Sequence, residues 1–102
     1  MSIFNDLRLQ QTRRTELARA LGKLMQSVPK GCPTWVEAAM LQNRLIERNR
    51  NGPGNLAQAW FDTRRDAILA QEIVFKASRS AYPAKFEDYG AVSEAANRIF
   101  RE

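Results

Sequence analysis

Residues 34–79, TWVEAAMLQNRLIERNRNGPGNLAQAWFDTRRDAILAQEIVFKASR, decide the fold. In the middle of this stretch stands Asn51-Gly52-Pro53-Gly54-Asn55. Gly and Asn accept turn and left-handed geometry, and Pro cannot continue a helix, so these residues separate two elements. Upstream, Trp35, Ala38, Ala39, Leu45 and Ile46 form a broad apolar face opposite Glu37, Arg44, Glu47 and Arg48, the spacing of a helix over about 34–50. Thr34-Trp35-Val36-Glu37 directly after Pro33 matches a capping box, in which Thr and Glu side chains each satisfy an orphan backbone donor.

Downstream, Leu56, Trp60, Ala67, Ala70, Val74 and Ala77 share one face, and Ala57, Phe61, Ile68 and Phe75 a neighbouring one. The pattern predicts a helix over about 55–79 whose wide apolar surface makes it the central element. Its remaining face carries Asp62, Arg65, Asp66, Glu72 and Lys76, with Leu69 and Ile73 among them where solvent is expected. The short connection makes these two helices an antiparallel hairpin, placing Ile46 near Trp60 and Ala39 near Ala67, with Trp35 and Trp60 as core anchors.

Outside the hairpin, Ile3, Leu7, Leu17, Leu21, Leu24 and Val28 repeat at helical spacing and predict a long helix over about 3–28, interrupted on its apolar stripe by Gln10 and Arg14. Val92, Ala95, Ala96, Ile99 and Phe100 predict a short helix over about 91–101 behind Gly90, after a linker carrying Tyr82, Phe86 and Tyr89. These aromatics are interleaved with Lys85 but also with Glu87 and Asp88, which repel phosphate, so they are read as packing residues. The expected fold is all-α and one domain: a three-helix arrangement built on the hairpin, with the short C-terminal helix capping one end.

Composition then narrows the function. The chain has 102 residues, 44% apolar and 26% charged, the balance of a globular domain. It contains no histidine and one cysteine, so His-dependent catalytic triads, Cys-His dyads and His-ligated zinc are excluded. Cys32, ahead of a helix start, is read as a plain loop cysteine. Asp62 with Asp66, or Glu87 with Asp88, lacks metal-site spacing. The protein is expected to be non-enzymatic and to use no cofactor or metal. No stretch approaches the ~20 apolar residues needed to span a bilayer, and Asp6, Arg8, Arg13, Arg14 and Arg19 occupy the place of a signal peptide's apolar region, which points to the cytoplasm.

Charge is uneven. The net of +5 comes from residues 1–50, with nine basic and four acidic side chains, whereas residues 51–102 balance seven against seven. Arg8, Thr12, Arg19 and Lys23 fall on one face of the first helix, with Arg13, Arg14 and Lys30 at its margins and Arg44 and Arg48 on the second helix. Twelve of the sixteen basic residues are Arg, which favours planar contacts to phosphate or carboxylate. Leu69 and Ile73, joined by Met40 and Leu41, form a candidate protein interface.

These features point to a small protein that docks onto another macromolecule through an Arg-rich surface and an apolar patch. The expected partner is a protein machine that handles nucleic acid, on which it acts as accessory factor or inhibitor. A phage or mobile-element protein would fit this brevity. Two alternatives stand beside it: direct, largely sequence-independent DNA or RNA binding, with a homodimer presenting two basic stripes, and a structural subunit of a helical assembly. A helix-turn-helix is excluded, because the helices are too long and the connections too wide.

Overall fold

A computed structural model describes residues 3–52, 54–81 and 83–101, with side chains from Leu7 onward; the expectations placed on the Ile3 side chain and on Pro53 and Tyr82 fall outside the described residues. Within them the chain is all-helical, with no strand: α1 is Ile3–Gln26, α2 Pro33–Asn51, α3 Leu56–Ala77 and α4 Phe86–Arg101. Each helix packs on the next, and α4 returns against α1, so the four close a bundle 45 Å long. The core is one cluster to which every helix contributes: Leu17, Leu21 and Leu24; Ala38, Leu41 and Leu45; Ala67, Ala70 and Ile73; Val92, Ala95, Ala96 and Ile99.

The helix ends follow local chemistry. Cys32 is the N-cap of α2, Pro33 takes the first helical position that its fixed φ favours, and Gly52 at φ 81° closes the helix. The expected capping box does not form. Starting the helix at Pro33 puts Thr34 inside the first turn, where it is buried, and Glu37 turns to Lys76 3.0 Å away. Asn55 caps α3, its side-chain oxygen accepting from the Gln58 amide at 3.0 Å.

Two larger expectations are corrected. The C-terminal helix is no short cap: α4 begins at Phe86, runs through Gly90 and lies along α1 and α3. Glu87 and Asp88 in its first turn favour the positive end of the helix dipole. The Tyr89 hydroxyl donates to the Ala77 carbonyl at 3.1 Å and accepts from the Ala84 amide at 2.6 Å, tying α4 to the end of α3. Second, α3 turns a different face inward. Thr63, Asp66, Ala67, Ala70, Ile73 and Ala77 are buried, whereas Trp60, Phe61, Ile68 and Phe75 face solvent. Small side chains let neighbouring backbones approach closely, and this outweighs the larger apolar area of the aromatic face.

Ile46 lies with Thr15, Ala18 and Gln42 in the crease between α1 and α2. Ion pairs Glu37–Lys76 at one end and Arg48–Asp62 at the other run between α2 and α3 in an antiparallel sense, compatible with a hairpin. Helix α1 does not break at Arg14. Its guanidinium turns inward, Nε donating to Asn49 Oδ1 at 2.7 Å and Nη1 to Thr63 Oγ1 at 2.8 Å.

Candidate docking surface

Positions 37, 40, 41 and 44 of α2 and 69, 72, 73 and 76 of α3 each follow an i, i+3, i+4, i+7 pattern, so each set projects along one side of its helix. Where the two sides meet, Met40, Leu41, Leu69 and Ile73 line an open groove of about 190 Å³. Leu41 and Ile73 are its buried floor, Leu69 is half-buried, and Met40 stands 63% exposed on its wall. The rim is charged. Lys76 and Glu37 pair at 3.0 Å, Glu72 is exposed, and Arg44 leans to Asp66 at 3.6 Å. All four residues expected at a protein interface therefore come together in one concave feature, its floor and wall apolar and its edges of both signs.

The eight expected cations separate. Arg8, Arg19 and Lys23 are exposed on one face of α1. Arg13 beside them chelates Glu16, Nη1 lying 3.1 and 3.4 Å from the two carboxylate oxygens. Glu16 also accepts from Arg98 at 3.2 Å, and this bond, with a second to Glu94, holds the Arg98 guanidinium above its ordinary pKa. Lys30 is exposed, its ammonium 6.0 Å from the Trp35 ring centroid. Arg44 is on the groove rim.

Arg14 is buried, and Arg48, its side chain 27% exposed, turns with it into a polar seam between the helices. Arg48 Nε donates to Asp66 Oδ2 at 2.7 Å, and Nη1 to Asp62 Oδ2 at 3.2 Å. Burial lowers the Arg48 pKa, but the bond and charge of Asp66 and the charge of Asp62 outweigh it, so the net shift is upward. Arg14 is only 5% exposed, and burial followed by repulsion from Arg48 lowers its pKa against the pull of Asp66. Asn49, whose Nδ2 donates to Thr15 at 3.0 Å, and Thr63, whose hydroxyl donates to the Ala59 carbonyl at 2.9 Å, complete the seam. With Asp66 enclosed by two guanidinium groups, these side chains are occupied with one another.

The seam was not foreseen, although a signal existed: Thr63 and Asp66 share the stripe of Ala67 and Ala70, which places polar groups on a face that must pack. Trp60 is 40% exposed, with the Arg64 guanidinium stacked 3.4 Å from its ring centroid and Phe61 edge-on at 5.0 Å. It is therefore no core anchor. Among the described residues no group of three or more His, Cys, Asp or Glu side chains is placed to hold a metal ion, and no helix is long and apolar enough to cross a membrane. The thiol of Cys32 is half-buried at the start of α2. Comparison with known proteins adds no relative: no protein-family model, no curated protein and no solved structure matches this chain.

Proposed function

We propose that this protein is a non-enzymatic cytoplasmic interaction protein that docks onto another protein through the α2–α3 groove and the basic face of α1. The convergence of Met40, Leu41, Leu69 and Ile73 in one solvent-open groove carries this reading. A concave apolar floor with a polar rim is the form of a site that takes an apolar anchor from a partner. The exposed Arg8, Arg19 and Lys23 call for acidic groups on that partner, and favour rapid encounter with it. We take that partner to be a machine that handles nucleic acid, and the protein would act on its acidic surface as accessory factor or inhibitor.

Direct binding to nucleic acid is the second reading, supported by the same three exposed cations. It is weakened because Arg14 and Arg48, two of the eight expected contacts, are engaged inside the bundle. One paired experiment separates the readings. Labelled duplex and single-stranded DNA are titrated by fluorescence anisotropy over a salt series, and the protein is used as bait with its own host's extract. Protein docking predicts weak, nonspecific DNA binding and one partner retained by wild type, lost with Met40→Glu/Leu69→Glu and with Arg8→Glu/Arg19→Glu/Lys23→Glu. DNA binding with a log-log salt slope near about −3 to −5, abolished by the α1 variant and untouched by the groove variant, would replace it with the nucleic-acid reading.

A further inference from the structure

The outward face of α3 lies apart from the groove floor and carries three large apolar side chains that nothing in the bundle covers. Phe61 is 60%, Ile68 49% and Phe75 58% exposed. They stand at i, i+7 and i+14, so at 3.6 residues per turn all three fall within about 20° of one line along the helix. Phe75 is held in place by the Arg79 guanidinium stacked 4.2 Å from its ring centroid. A row of this length is more than the scattered surface hydrophobics of a monomer.

We propose that this face pairs with the same face of a second copy, the two α3 helices running antiparallel across a twofold axis at Ile68. The row is its own mirror along the chain: Phe61 precedes Ile68 by seven residues and Phe75 follows it by seven. The axis therefore sets Ile68 against Ile68 and Phe61 against Phe75 of the second copy, twice, the self-complementarity that an isologous interface requires.

Charge selects the direction. Arg65 and Glu72 are both exposed, and among the described residues neither has an ion-pair partner. Both lie on the same flank of the apolar row, three residues before Ile68 and four after it. Across the antiparallel axis Arg65 comes level with Glu72 of the second copy to within one residue, about 1.5 Å of helix rise, and the pair occurs twice. In parallel pairing the twofold axis would run along the helices and set the two Arg65–Glu72 flanks on opposite sides of the interface, so neither charge would meet its counterion in the second copy. The second copy therefore fits where a parallel partner or an arbitrary acidic protein does not. This interface uses the neighbouring face of α3 and shares the rim residue Glu72 with the proposed docking groove; it does not depend on the groove being a docking site.

The test is sedimentation velocity on the full chain from about 1 to 500 µM, a range that resolves dimers of millimolar to micromolar affinity. The expected result is a concentration-dependent monomer–dimer equilibrium. Ile68→Glu should abolish the dimer, and Arg65→Glu alone or Glu72→Arg alone should weaken it about tenfold or more. The double swap Arg65→Glu/Glu72→Arg should restore it, an outcome no merely structural defect produces. All these positions are exposed, and far-ultraviolet circular dichroism checks that each variant stays folded. A chain that is monomeric throughout would overturn the proposal. So would a dimer broken by Met40→Glu/Leu69→Glu and indifferent to Ile68→Glu, or a double swap that fails to rescue.

Discussion

Asp66 is 0% exposed and meets Arg48 Nε at 2.7 Å, so a full negative charge inside the bundle is neutralised by a side chain from the neighbouring helix. Its other oxygen faces Arg48 Nη2 at 3.4 Å and Arg44 at 3.6 Å. A buried carboxylate is tolerated only when paired, and removing one partner leaves the other charge desolvated. Asp66→Asn is therefore expected to destabilise the fold by about 2–4 kcal/mol, below the full buried-pair value because Arg48 keeps some access to water. Asp62→Asn, which leaves the principal pair intact, should cost under about 1 kcal/mol. Urea unfolding of the two variants measures the difference.

Arg14 contributes to the fold through geometry more than through charge. Its planar fork reaches Asn49 and Thr63 at once, joining α1 to α2 and α3. Lysine keeps the charge and loses the fork, so Arg14→Lys should still cost about 1–3 kcal/mol in thermal or urea unfolding. Arg19→Lys on the exposed face of the same helix should change stability by less than about 0.5 kcal/mol. Equal effects at the two positions would show that Arg14 is only another surface cation.

Helix existence was legible in the sequence and helix rotation was not. The break at Asn51–Asn55 and the helix start after Pro33, together with 3.6-residue periodicity, located α1, α2 and α3 to within a few residues. Leu17, Leu21 and Leu24 were placed correctly because this part of α1 has one clear apolar stripe, whereas Val28, read as its last member, is buried just beyond the helix end at Gln26. In α3, apolar residues surround most of the helix, so periodicity could not say which part packs; Ala67 and Ala70 were read as inward, but so were Trp60 and Phe61. The start of α4 was missed because Gly90 reads as a boundary, although a Cβ there would meet nothing within 4 Å and the helix passes through. Of the candidate site, Leu69 and Ile73 stood out in the sequence as apolar residues in a charged setting, but that Ile73 and Leu41 are core residues, 6% and 4% exposed, was not legible, because burial depends on how α2 and α3 are rotated against each other. The internal use of Arg14 and Arg48 was invisible, since it depends on partners 35 to 49 residues away for Arg14 and on both aspartates of α3 for Arg48.

Gly22 marks the close approach of α1 and α2. A Cβ at this position would lie 2.8 Å from Gln42 Nε2, whose present bond is to the Ala18 carbonyl at 2.9 Å. Alanine gains about 1 kcal/mol of helix propensity and displaces a flexible amide worth about as much, so Gly22→Ala should be neutral within about 1 kcal/mol. Gly22→Val adds branched bulk that the facing helix cannot yield to, and should cost about 1–3 kcal/mol. Melting temperatures of the pair would check it; a large loss with alanine would mean that the two backbones, not the glutamine, set the contact.

The Tyr89 hydroxyl is the tie that fixes where α4 begins, because it serves the Ala77 carbonyl and the Ala84 amide together. Tyr89→Phe keeps the ring's packing against the core and removes both bonds, leaving a partly buried amide without its acceptor. The expected cost is about 1–3 kcal/mol. It should not fall evenly over the molecule. Amides in the first turns of α4 should lose hydrogen-exchange protection before the midsections of α1 and α2, since local opening needs only the connection from α3 to let go. Uniform loss of protection would instead mean that α4 and the other three helices open as one unit, with the Tyr89 bonds contributing only to global stability.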